Sequence, residues 1–298
     1  MHGQISARIQ EIKDDRTHGA SWLARQALGA LMAAAQMSEA KTNAQLMDEL
    51  KSVARALIEA RPSMASIANS VGRLVYDVAQ QSEREADIGS LKAFAQSRGK
   101  ELIKASEEAV AMIAQHVSEL IGPGEKLFTC SYSATVCQAL KVAREASKHF
   151  SVMIAESKSP SGRPYGVVAA EEIRSYGIAV ETISDDTIRR NMARANKVIA
   201  GADSVLSDGS LINGTPSYEL AVAAKENAIP FYALCEKSKF TPDLLRGRSY
   251  FDPEPELEAG FDRIPARLIT GILTEEGMLR PEEVEHTIED LSKYVESL

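Results

Sequence analysis

The chain is predicted to be an α/β protein in two parts, on three observations. Apolar residues recur at helical spacing through residues 1–122, with few turn residues among them. Gly122-Pro123-Gly124 then breaks the pattern. Beyond that break, short apolar runs alternate with helical stretches, as parallel strands with crossover helices require. The expected division is an N-terminal helical domain over 1–122 and a Rossmann-like, mostly parallel α/β domain over 123–298.

In the helical part, Trp22, Leu23, Ala27, Leu28, Ala30 and Leu31 suit one face of a packed helix. Asp14-Asp15-Arg16-Thr17-His18-Gly19 precedes it as loop and cap. A second helix is expected from Asn43 to Ala60, stopping before Arg61-Pro62-Ser63. A third starts near Met64, and a long one runs from about Ile88 to Ile121. The strands expected next are Lys126–Thr129, Ser151–Ala155, Ala179–Ile183, Lys197–Ala200 with Ser204–Leu206, and Pro230–Cys235. Helices Ala134–Lys148, Tyr165–Tyr176, Thr187–Ala195 and Ser217–Asn227 alternate with them. Asp252-Pro253-Glu254-Pro255-Glu256 reads as an acidic, proline-rich loop, and no internal repeat is evident.

Composition narrows the function classes. The 298 residues are 44% hydrophobic, which suits a substantial core rather than disorder. The net charge of −8 argues against broad nucleic-acid binding, since phosphate contacts need a basic surface. Cys130, Cys137 and Cys235 show no paired spacing, so neither a metal site nor a disulfide framework is expected. No apolar run suits a signal or a membrane span, so a soluble, cytoplasmic protein is expected, and no cofactor is implied.

In parallel sheets ligands bind at the carboxyl ends of strands. The first such end reads Thr129-Cys130-Ser131-Tyr132-Ser133-Ala134-Thr135. Hydroxyls and a thiol at a starting helix suit an anion site, and equally a plain serine cap. After the second strand come Glu156, Lys158 and Arg163. They can clamp a phosphate and a sugar hydroxyl, or form a solvated ion pair. Asp203 follows the fourth strand, as a cap or as a carboxylate of altered pKa. Asp208-Gly209 and Asn213-Gly214 read as turns.

Several stretches in order resemble the translation initiation factor 2B α/β/δ family, which also includes methylthioribose-1-phosphate isomerase and ribose-1,5-bisphosphate isomerase. They are Asp15-Arg16-Thr17-His18-Gly19-Ala20-Ser21, Arg61-Pro62-Ser63 with Asn69, Gly201-Ala202-Asp203-Ser204-Val205, Asp208-Gly209, Asn213, Tyr218, Ala221–Glu226, Cys235–Phe240, Phe261-Asp262-Arg263-Ile264-Pro265 and Ile269–Gly277. The resemblance implies a pocket for a phosphorylated sugar or nucleotide, a homodimer and a translation-factor partner. It places Arg16, His18, Gly19, Ser131, Ser133, Glu156, Lys158, Arg163, Asn213 and Lys239 around the ligand. The family's isomerases use a cysteine and an aspartate; Asp203 matches the aspartate. The cysteine position falls at Ser131, with Cys130 one place away. A phosphate-binding lysine is replaced by Gly214, and an arginine by Lys158. A helix N-terminus would lower the Cys130 pKa. The resemblance therefore implies a regulatory, ligand-binding relative, or else an aldose–ketose isomerase using Asp203 and Cys130.

Overall fold

The computed structural model describes residues 2–15, 17–84, 87–159, 162–241, 244–245, 248–249, 260–288, 291, 293–294 and 298. Arg16 and the Asp252–Glu256 segment lie outside the described residues. The chain divides into two compact units. One comprises 1–108, 238–250 and 288–298, and the other 109–237 and 251–287.

The first unit is helical. Its elements are α1 (Gly3–Asp14), α2 (Ala20–Met37), α3 (Asn43–Ala60), α4 (Ala65–Ser82) and the first part of α5 (Ile88–Leu120). Helix α3 starts at Thr42, whose hydroxyl accepts the Gln45 amide at 3.2 Å. Leu23, Leu28 and Leu31 of α2, Leu46, Leu50 and Leu57 of α3, and Ile67, Val71 and Leu74 of α4 form its core. Helix α1 is absent from the sequence reading. It buries Ile5 and Ile12, seven residues and so about two turns apart on one face, against this core.

Two later segments belong to the same unit, so it is not the continuous 1–122 expected from the glycine–proline break. Asn69 Nδ2 donates to the carbonyls of Ser238 at 2.8 Å and Phe240 at 2.6 Å. Tyr294 lies edge-on to Tyr76, with ring centroids 5.4 Å apart, and under the Arg73 guanidinium. A Cβ at Gly72 would stand 2.7 Å from the Tyr294 carbonyl, so only glycine admits this approach. Leu298 joins the helical core.

The second unit is built on a sheet. Its strands are β1 (Lys126–Thr129), β2 (Ser151–Ala155), β3 (Ala179–Ile183), β4 (Lys197–Gly201), β5 (Ser204–Leu206), β6 (Leu211–Gly214) and β7 (Phe231–Leu234). After the two-residue strands β8 (Phe240–Thr241), β9 (Leu244–Leu245) and β10 (Arg248–Ser249) of the helical unit come β11 (Phe261–Ile264), β12 (Gly271–Thr274) and β13 (Gly277–Leu279). The main sheet has the order β13-β12-β7-β4-β1-β2-β3. All its pairings are parallel except β12 with β13. Helices α6 (Ala134–Glu145), α7 (Tyr165–Ser175), α8 (Ile188–Met192) and α9 (Ser217–Glu226) make the crossovers. Their continuous apolar neighbours, such as Val198-Ile199-Ala200, suit strands buried on both faces.

Chain direction sets the switch point of the sheet. From β1 the sheet grows through β2 and β3 on one side, and through β4 and β7 on the other. The switch point therefore lies between β1 and β4, where open α/β sheets hold their ligands.

Two local expectations are corrected. Asn213-Gly214 is not a turn but the end of β6, antiparallel to β11 with Asn213 opposite Asp262. The turn is Asp208-Gly209 alone, where Gly209 has φ +75° and Asp208 accepts the Ser210 amide. The helix expected over Thr187–Ala195 shortens to α8, because a 3-10 turn over Asp185–Thr187 leads into it.

Candidate functional site

The residues after β1 and β4 meet at the switch point. The Cys130 thiol lies 3.2 Å from the Ser217 hydroxyl. Ser217 in turn accepts the Asn213 side-chain amide at 2.7 Å and donates to the Gly214 carbonyl at 2.6 Å. A Cβ at Gly214 would stand 2.7 Å from the Ser131 hydroxyl, so Ser131 fills the space a side chain at 214 would need. A Cβ at Gly201 would likewise stand 2.5 Å from the Ser133 hydroxyl. Asp203 follows one residue after Ala202, and its amide donates to the Ile212 carbonyl at 2.9 Å. Cys130, Ser131, Ser133, Asn213 and the Asp203 backbone are thereby gathered at neighbouring strand ends.

The electrostatics of Cys130 reverse the expectation of a lowered pKa. Burial is the main cause that pushes the thiol up, to about 12, against the opposing effect of its hydrogen bond with Ser217. The carboxylates of Asp262 and Asp185 add to the rise. With 1% of its surface exposed, the sulfur keeps its proton at neutral pH. Proximity to the start of α6 does not offset that burial. Ser133 is the N-cap of α6 and its hydroxyl accepts the Val136 amide at 3.4 Å, which is the plain cap reading.

Glu156 and Lys158 form an ion pair at 2.8 Å. Lys158 is exposed, and the hydrogen bond to Glu156 is the main cause raising its pKa. Arg163 stacks its guanidinium 5.3 Å from the centre of the Tyr165 ring, while its amide donates to the Ser159 hydroxyl. These two cations engage their own loop rather than the Cys130–Asn213 cluster.

The remaining candidates belong to the helical unit. His18 Nδ1 lies 2.7 Å from Asp15 Oδ2, and its ring stacks on Trp22 with centroids 3.7 Å apart. Burial opposes ionisation of Asp15. Hydrogen bonds from the His18 ring and amide and the Thr17 amide outweigh it and hold the carboxyl at about 2. Gly19 is the N-cap of α2. Lys239 is buried at the end of a 3-10 turn.

Four further residues shape the cluster and escaped the sequence reading. Ser157 accepts the Ser131 amide at 2.7 Å. Asp185 accepts the amides of Ser157 and Lys158. Asp262 accepts the Tyr218 amide at 2.9 Å and the Thr215 hydroxyl, which fixes the start of α9. Ser217 ties Cys130 to Asn213. Ser157 and Asp185 share one signal, since each lies two residues past a strand end. Among the described residues no group of His, Cys, Asp and Glu is placed to hold a metal ion. No described helix is long and apolar enough to cross a membrane.

A model of the Initiation factor 2 subunit family matches residues 16–281. A Pyrococcus horikoshii protein described as translation initiation factor eIF-2B subunit 2-like is 32% identical over 281 residues, covering 92% of this chain and 95% of the relative. The ribose 1,5-bisphosphate isomerase of Pyrococcus furiosus is 30% identical over 291 residues, covering 91% and 89%. The crystal structure of the Pyrococcus horikoshii translation initiation factor eIF-2B superposes with a TM-score of 0.80 at 30% identity. That match covers 94% of this chain and 98% of the other.

Proposed function

The chain belongs to the Initiation factor 2 subunit family, and on that premise we propose that its cleft binds a phosphorylated sugar or nucleotide in a regulatory role, with little or no isomerase turnover. The carrying observation is the state of Cys130. Aldose–ketose isomerisation needs one group to take a proton and another to give it, each within reach of the substrate. Asp203 can fill one role. The buried thiol, held up at about 12 and bonded to Ser217, is poorly suited to the other. At the neighbouring position Ser131 offers only a hydroxyl, a far weaker acid than a free thiol of pKa about 8.5. The protein acts in the cytoplasm as a homodimer, alongside a translation factor.

The second reading is an isomerase acting on a phosphorylated ribose, with Asp203 and Cys130 as its acid–base pair. It is favoured by the 30% identity to a ribose 1,5-bisphosphate isomerase along nearly the whole chain. Incubation with ribose-1,5-bisphosphate and with methylthioribose-1-phosphate separates the two. We expect no ketose product, and measurable binding of AMP or of a sugar phosphate by calorimetry. Robust turnover abolished by Cys130→Ser and by Asp203→Asn installs the isomerase instead. Light scattering at micromolar concentration is expected to read the mass of a dimer; a monomer contradicts the assembly.

A further inference from the structure

Two serines leave the sheet in the same uncommon way. Ser131, after β1, and Ser157, after β2, both adopt the left-handed conformation, with φ of +59° and +54°. Residues with a Cβ disfavour this region, and it persists only where the surroundings dictate it. The surroundings here can be traced atom by atom. The parallel ladder between β2 and β3 ends with the Glu156 amide on the Ile183 carbonyl at 2.8 Å. The next two amides would have no strand partner. Asp185, two residues past β3, takes both: Oδ1 accepts the Ser157 amide at 2.8 Å and Oδ2 the Lys158 amide at 3.0 Å. Ser157, 1% exposed, donates its hydroxyl to the Ala155 carbonyl at 3.1 Å and accepts the Ser131 amide at 2.7 Å.

The consequence reaches the cleft. The Ser131 turn sets its hydroxyl against Gly214 and carries Cys130 on one side and the α6 cap Ser133 on the other. A carboxylate on two amides is a charge-assisted contact, stronger and more directional than a neutral one. Asp185 is thus the only charged member of the chain Asp185–Ser157–Ser131, and it never touches Ser131 itself.

We infer that Asp185 is a positioning residue for the cleft, which acts through Ser157 to hold the Ser131 turn in its ligand-receiving shape. The inference rests on the reading of the cleft as a binding site. Two readouts separate it from that reading and from a merely structural role for Asp185. The first is amide hydrogen exchange at Ser131 in the ligand-free full-length chain. The second is calorimetric affinity for AMP and for ribose-1,5-bisphosphate.

Asp185→Ala and Ser157→Ala are each expected to speed Ser131 exchange and to weaken affinity by about tenfold or more. The double variant should lose no more than the worse single variant, because both act along one chain of contacts. Asp185→Asn keeps one acceptor atom and should fall between; it also serves if the alanine variant fails to fold. Asp186→Ala removes an exposed carboxylate that bonds only the local Ser184 hydroxyl among the described contacts, and should change neither readout. Unchanged Ser131 exchange in the Asp185 variants, or additive losses in the double variant, overturns the inference. Altered Ser131 exchange in a chain that binds neither ligand keeps the relay and rejects the binding reading.

Discussion

Cys130 directly follows β1 and lies beside Ser217, and its surroundings hold the proton on. An acid whose folded pKa is raised stabilises the fold below its unfolded pKa and loses that contribution as pH rises through the folded value. For Cys130 the window runs from the ordinary thiol value of about 8.5 up to about 12. Stability should therefore fall across that range, and Cys130→Ser should flatten the fall. Cys137, also pushed up by burial, leaves a residual slope. Chemical denaturation at a series of pH values checks this. In the native protein at pH 8, iodoacetamide should leave Cys130 unlabelled by mass spectrometry; prompt labelling would show an accessible thiolate.

At the scale of elements, the loop after β1 and the end of β6 are matched in shape. Gly214→Ala places a Cβ against the Ser131 hydroxyl and should cost about 1–3 kcal/mol, typical of overpacking. Ser131→Gly in the same chain removes the hydroxyl and relaxes a left-handed position, so it should recover most of that loss. Urea unfolding of the two single variants and the double variant measures both effects; an unrescued double variant would contradict the matched pair. The strands themselves were legible. Lys126–Thr129, Ser151–Ala155 and Ala179–Ile183 have the bounds expected from the sequence. Helix α1 was not, since only Ile5 and Ile12 of its twelve residues are buried. Strand β6 was hidden because Asn-Gly is a strong hairpin signal, and pairing with β5 on one side and the distant β11 on the other holds it extended. The strand-end residues Cys130, Ser131 and Asp203 could be found by the same logic. Ser157, Asp185 and Asp262 could not be ranked, because they act by accepting amide hydrogens from loops remote in sequence.

On the scale of the whole molecule, the two compact units are not two consecutive lengths of chain. The helical unit recruits residues 238–250 and 288–298, and Tyr294 is one of its buried aromatic side chains. Tyr294→Ala should remove its contacts with Tyr76 and Arg73 and destabilise by about 3 kcal/mol or more. The denaturation midpoint measures this, and a shift within error would show that the segment contributes little.

That interleaving bears on synthesis. The first four helices leave the ribosome early, but the residues that complete their core emerge after the whole sheet-bearing unit has been made. At about 5–20 residues per second, the interval between residues 108 and 288 is on the order of 10–40 s. Through that time the apolar faces that receive Tyr294 and Leu298 stay uncovered. The nascent helical region is thus a natural client for a chaperone, although the finished protein buries those faces.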